Sequence, residues 1–268
     1  MRIYQNLPSL LETELNKKRR LPQRVYFSPS SDLFQPVPEI QEIARKILLI
    51  LLQRGIETAF LTKGKIEEET WRILERYSSL VFAQIGLISV HDEIRQIFEP
   101  NAASVTQRLD QIKRLNSFGI NTSVRLDPIL PAITDSSEDF SQICAATSEC
   151  GITRLAASVL FLRPVISSQI RRRLKRVTMA EDLSLKVSRM LSLFLHSQKM
   201  DIHAQNSSVE GLPMEFRKDI FDRLRTEAVR FNQTVHICGC KNPDLSNQRC
   251  QISGPFENSE SQGLLNLE

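Results

Sequence analysis

The sequence predicts an α/β protein of repeated βα units, and a (β/α) barrel in preference to an open doubly wound sheet. Three observations carry this. Short β-rich segments alternate with amphipathic helical stretches, glycines fall where helices should end, and nucleotide-binding glycine motifs are missing. Neither GxGxxG nor GxxxxGK[ST] follows any strand-like segment, which removes the main support for an open-sheet nucleotide binder.

The elements follow in order. Residues 24–28 (RVYFS), 57–62 (ETAFLT), 80–87 (LVFAQIGL), 120–127 (INTSVRLD) and 153–160 (TRLAASVL) read as strands, largely apolar on both faces, as in a covered parallel sheet. Between them Ile40, Ile43, Ala44, Ile47 and Leu51 share one helical face, and Val105, Leu109, Ile112 and Leu115 share another. The spacing recurs at Leu183, Val187, Met190, Leu191 and Phe194, and at Phe216, Ile220, Leu224, Ala228 and Phe231. Gly55, Gly119 and Gly151 each precede a strand, where a left-handed helix C-cap is expected. Residues 1–232 are assigned to the barrel, complete or partial, and 233–268 to a cysteine-containing tail.

Composition narrows the function classes. A surplus of Lys and Arg over Asp and Glu of only 4 names no polyanionic partner. The longest apolar run, Ile47 to Leu52, is far short of the roughly 20 residues a membrane span requires, and the first 20 residues lack a secretory h-region. A cytoplasmic location with reduced thiols is the expectation, and no membrane partner.

Barrel chemistry collects at the C-terminal ends of strands. Those ends read Ser28-Pro29-Ser30-Ser31-Asp32, Thr62-Lys63-Gly64, Ser89-Val90-His91-Asp92, Arg125-Leu126-Asp127-Pro128 and Arg163-Pro164. Ser28, Ser31 and Asp92 are equally well read as turn and N-cap residues. Lys63, Arg125 and Arg163 are three cations at one end of a barrel, which suits an anionic ligand such as a carboxylate or phosphate.

Taken in order, the stretches RVYFSPSSDLFQPVPE (24–39), FLTKG (60–64), IGLISVHDEIRQIFEPNAASVTQRL (85–109), GINTSVRLDPILPAITD (119–135) and FLRP (161–164) resemble the radical S-adenosylmethionine superfamily, in its spore photoproduct lyase-like branch. The resemblance implies an incomplete six-unit (β/α) barrel, S-adenosylmethionine (SAM), a [4Fe-4S] cluster that cleaves it to a 5'-deoxyadenosyl radical, and an electron donor. It places Ser28, Ser30 and Asp32 near the cofactor amino group, Lys63 and Ser89 near its carboxylate and ribose, and Arg125 and Arg163 along a deeper pocket. Glu99 and Arg108 match as a structural ion pair. The family's Cys-x3-Cys-x2-Cys ligand word is absent, since no cysteine precedes Cys144. The chain is expected to lack the first βα unit, through a truncated or mis-assigned start in preference to a true loss, and to be inactive as written.

Further features stay open. Cys238, Cys240 and Cys250, after His236, could hold zinc or an auxiliary cluster, or be thiols in a loop. Cys144 and Cys150 are expected in the core. The basic runs at 17–20 and 171–176 permit a nucleic-acid substrate, and solvated helix ends explain them equally. Two readings from other classes stand beside the radical enzyme: a non-catalytic scaffold that keeps the anion pocket, and a barrel aldolase with Lys63 as Schiff-base nucleophile.

Overall fold

The computed structural model describes residues 3–27, 31–174, 181–202 and 207–246. The chain opens with α1 (Leu7–Lys17), then β1 (Arg24–Phe27), α2 (Pro38–Gln53), β2 (Glu57–Thr62), α3 (Glu68–Arg76), β3 (Val81–Gly86), α4 (Asp92–Phe98) and α5 (Val105–Ser117). It continues with β4 (Asn121–Ile129), α6 (Ser137–Glu149), β5 (Arg154–Val159), α7 (Pro164–Leu174) and α8 (Glu181–Leu193). A hairpin of β6 (Gln198–Ile202) and β7 (Ser207–Gly211), α9 (Met214–Arg230) and β8 (Thr234–Ile237) complete it.

Six strands form one parallel sheet in the order β1-β2-β3-β4-β5-β8. The described strands leave the sheet unclosed, with β1 and β8 at its edges. The five strands read from the sequence are present within a residue or two. The sixth, β8, lies inside the segment assigned to the tail, and the antiparallel β6–β7 hairpin was not anticipated.

The sheet has two unlike faces. Phe60, Ala83, Ile85, Val124, Leu126, Leu155, Ala157 and Ile237 alternate along their strands and join the helices in the main core. On α2, Leu48 and Leu52 belong to this core, while Ile47, Ile50 and Leu51 meet Leu11 and Leu15 of α1 in a second cluster. Each such side chain contributes roughly 1.5–3 kcal/mol on burial. The intervening positions form the inner face and are largely polar, including Gln84, Ser123, Arg125 and His236, all in register across the strands. The expectation of apolar residues on both faces is thus corrected. The described helices pack on the apolar face, and the other mixes these polar groups with Ala59, Leu61, Phe82 and Ala156.

Local signals explain the boundaries. Ser104 with Gln107 and Ser136 with Asp139 form capping boxes that start α5 and α6. Gly55 and Gly119 end α2 and α5 at φ of +70° and +69°, where a side chain would be strained. No helix among the described residues is long and apolar enough to cross a membrane.

Candidate functional site: a cation cluster at the open end of the sheet

Strand β4 and the segments that follow β2, β3 and β8 bring charged side chains to one place. Lys63, just past β2, extends across Gly86 at the end of β3; a Cβ on Gly86 would lie 2.6 Å from Lys63 Cγ, so this crossing requires glycine. Lys63 Nζ donates to the Asp127 carbonyl (2.7 Å) and pairs with Glu99 Oε1 (2.5 Å). Arg125 Nε donates to Asp127 Oδ2 (2.8 Å), and its Nη1 donates to Gln84 Oε1 (3.3 Å). Gln84 donates in turn to Ser123 Oγ (3.0 Å). From beyond β8, Lys241 Nζ reaches the same Asp127 Oδ2 at 2.5 Å.

Beneath them Arg108 is fully buried, donating to the carbonyls of Gly86 (2.8 Å) and Ala103 (2.9 Å) and pairing with Glu99 Oε2 at 2.7 Å. The ion pair expected between Glu99 and Arg108 is present, and Glu99 also links it to Lys63. Burial pushes the Asp127 carboxyl up, but Lys241, Arg125 and Lys63 outweigh it and hold the group well below the usual carboxylate range. The site is therefore an ionised carboxylate ringed by three cations.

The other candidates are placed as follows. Asp32 accepts from the Phe34 amide (2.8 Å), the Thr62 hydroxyl (2.6 Å) and the Lys63 amide (2.7 Å), bracing the loop that positions Lys63. Ser89 is buried, and its Oγ accepts from the His91 amide (3.0 Å) at the turn into α4. The Lys63 and Arg125 side chains therefore meet at Asp127, Lys63 at its carbonyl and Arg125 at its carboxylate, whereas the Ser89 oxygen serves a turn. Arg163 is half-buried where β5 leads into α7. Asp92 opens α4, and Arg95 together with the Val105 amide holds its carboxyl well below the usual range.

Ser28, Ser30 and Cys250 lie outside the described residues. Cys238 is buried and Cys240 half-buried in the turn after β8. Cys144 and Cys150 sit in the core, where burial pushes the Cys144 thiol up to about 12. Among the described residues no three His, Cys, Asp or Glu side chains are grouped as a metal ion requires. The described residues therefore do not fit a [4Fe-4S] cluster. Lys63 is also a poor Schiff-base candidate, because its nitrogen is engaged by a carboxylate and a carbonyl instead of standing in an apolar pocket.

A cavity of about 370 Å³ lies elsewhere, at the starts of α4, α6 and α8, lined by His91, Glu93, Glu138, Asp139 and Asp182 among others. Its acidic wall makes it a poor place for an anion. Sequence reasoning missed two partners in the cation site, Asp127 as the shared anion and Lys241 as the third cation.

No protein-family model matches the chain. Over 135 residues, half of its length, it is 26% identical to an uncharacterized protein of Methanocaldococcus jannaschii, covering 49% of that protein. Over 160 residues, 58% of its length, it is 23% identical to a radical SAM Nalpha-GlyT isomerase of a Pseudomonas phage, covering 33% of it. The chain thus spans between a third and a half of the curated relatives it matches. A domain of pyruvate-formate lyase-activating enzyme from Bacteroides vulgatus aligns with a TM-score of 0.50 at 13% identity, over 80% of this chain and 98% of that one. The fold is the partial barrel of the radical SAM enzymes. Within that class it resembles spore photoproduct lyase: the lyase complexed with dinucleoside spore photoproduct aligns with a TM-score of 0.62 at 12% identity, over 87% of this chain and 66% of the lyase. A variant of that lyase with bound AdoMet and the same dinucleoside aligns at 0.63, with 11% identity, over 86% of this chain and 64% of that one.

Proposed function

We propose that the open end of the sheet binds S-adenosylmethionine, as the core of a radical SAM protein of the spore photoproduct lyase-like branch. The observation that carries this is the meeting of Lys63 and Arg125 at Asp127, on the polar face of a sheet with the lyase fold. The cofactor's carboxylate suits Lys63, whose ammonium is 28% exposed at the rim. Arg125, only 3% exposed, orients the Asp127 carboxylate and so fixes the floor on which the ligand rests. Gln84 and Ser123 offer neutral hydrogen-bonding groups beside it. Beside a [4Fe-4S] cluster the bound cofactor supplies radical chemistry. In that family a cluster held by thiolates and an electron donor accompany the bound cofactor.

Isothermal titration of the purified chain with S-adenosylmethionine tests this. Saturable binding is expected, weakened about tenfold by Lys63→Gln through loss of one charge-assisted contact. Arg114→Gln, at an exposed pair with Glu68, should bind as the parent does. No binding, or equal binding by the Lys63 variant, overturns the reading. Anaerobic iron-sulfur reconstitution followed by a 5'-deoxyadenosine assay tests the family activity.

A further inference from the structure

Asp127 already has a counter-ion in Arg125, which is 3% exposed and donates through Nε at 2.8 Å. A carboxylate so neutralised needs no further cation, yet Lys241 is brought 2.5 Å from the same oxygen across 114 residues of chain. The delivery is built. The turn after β8 is closed by the Lys241 and Asn242 amides donating to the Cys238 carbonyl at 3.1 and 3.0 Å. Asn242 is fully buried, and its Oδ1 accepts from Arg217 Nη1 at 3.0 Å. Arg217, itself fully buried on α9, also donates to the Leu212 carbonyl (2.9 Å) and pairs with Asp244. Lys241 is thus aimed by an interior scaffold, unlike an ordinary surface lysine.

The charge balance and its layering give this a direction. Four cations, Lys63, Arg108, Arg125 and Lys241, share two carboxylates, Glu99 and Asp127. Asp32 stands next to the group, but its carboxylate accepts from the Phe34 amide of its own loop, the Thr62 hydroxyl at the end of β2 and the Lys63 amide. The surplus is cationic, and it is outermost. Side-chain exposure rises from 1% at Arg108 and 3% at Arg125 to 28% at Lys63 and 34% at Lys241. A molecule entering from solvent meets two ammonium groups first, each with three N–H donors.

We propose that Lys241 is an anion-binding residue of the open end, taking a carboxylate or phosphate group of a second ligand, the substrate, beside the group that Lys63 takes. Asp127 holds the Lys241 ammonium in place until that oxyanion arrives. This rests on the S-adenosylmethionine reading only in treating the open end as the ligand site.

The test titrates the full chain with inorganic pyrophosphate and, separately, with citrate at constant ionic strength, with S-adenosylmethionine measured in parallel. Lys241→Gln is expected to weaken at least one probe about tenfold, the loss of one charge-assisted hydrogen bond, with S-adenosylmethionine affinity within about twofold of the parent. Asp127→Asn, which removes the internal competitor, is expected to tighten the same probe. Lys218→Gln, on the exposed face of α9, controls for net charge, and circular dichroism checks that each variant is folded. A preference for pyrophosphate assigns the anion to a phosphate-bearing substrate, and a preference for citrate to a carboxylate. The proposal is overturned if neither probe binds the parent, if Lys241→Gln binds both as the parent does, or if it weakens only S-adenosylmethionine. Lys241-dependent probe binding without any S-adenosylmethionine binding would sink the cofactor reading and leave this one standing.

Discussion

The inner face of the sheet carries two layers of charge, one at each end, and they are built differently. At the N-terminal end Arg24 of β1 pairs with Glu57 of β2, its register partner, through Nε at 2.7 Å and Nη2 at 2.6 Å. The Arg24 guanidinium also lies 3.7 Å from the centroid of the Phe82 ring. One cation meets one anion on adjacent strands beside an aromatic ring, while Arg154 of β5 bonds the neutral Asn121 at the same end. At the C-terminal end cations outnumber carboxylates, and the outermost of them face solvent. A balanced pair stabilises the fold; an unbalanced cluster keeps unused charge for something that is not part of the chain.

The largest way to break this contrast is Asp127→Ala. Removing the shared anion leaves Arg125 buried beside Lys63 and Lys241, and a loss of about 3–5 kcal/mol is expected in urea unfolding. Added pyrophosphate should restore part of it in this variant and have no such effect at the other end. Arg217→Ala comes next, at about 3 kcal/mol, because Asn242 and Asp244 lose their buried donor. It should also reproduce the anion-binding defect of Lys241→Gln without touching that lysine.

Glu57→Gln, in the balanced layer, is expected to cost about 1–2 kcal/mol and to leave S-adenosylmethionine and pyrophosphate affinities unchanged. If ligand affinity falls there as well, the two layers are not functionally distinct.

Acid titration sharpens the comparison most gently. The Asp127 carboxyl lies below its unfolded value of about 3.9, so its contribution is complete above that pH and is lost as pH falls further toward its folded value. Stability followed from pH 6 down to pH 2 should therefore fall less steeply below about pH 4 in Asp127→Asn than in the parent. An unchanged acid slope would contradict the ring of cations around Asp127.

Much of the fold is legible in the sequence, for reasons visible at particular residues. The β-branched and aromatic runs at 57–62 and 81–86 are flanked by helical stripes, and Gly55 and Gly119 mark the turns between them. β8 is not legible because Thr234–Ile237 has four residues, too few to show a period of two, and runs directly into Cys238 and Cys240. β6 and β7, QKMDI and SSVEG, lack a clear apolar alternation and, among the described residues, pair only with each other apart from a single bridge between Glu210 and Leu162. Lys63 follows β2 directly, and Arg125 falls near the end of the strand read from the sequence at 120–127, although β4 continues to Ile129. Lys241 follows the last strand in a polar stretch, and nothing local to it distinguishes it from any exposed lysine.

The sequence by itself determined the rhythm of βα units, the helix-covered apolar face and the cations at the strand ends, because periods of 2 and 3.6 residues and turn chemistry act over one element at a time. Only the tertiary structure decided which charges share a partner. Sheet register sets Arg125 beside Gly86 and Ala156, the lack of a side chain at Gly86 lets Lys63 cross to Asp127, and a turn held by buried Arg217 returns Lys241 over 114 residues. An ion pair depends on a few ångströms between atoms far apart in the chain, and that distance exists only once the sheet has assembled.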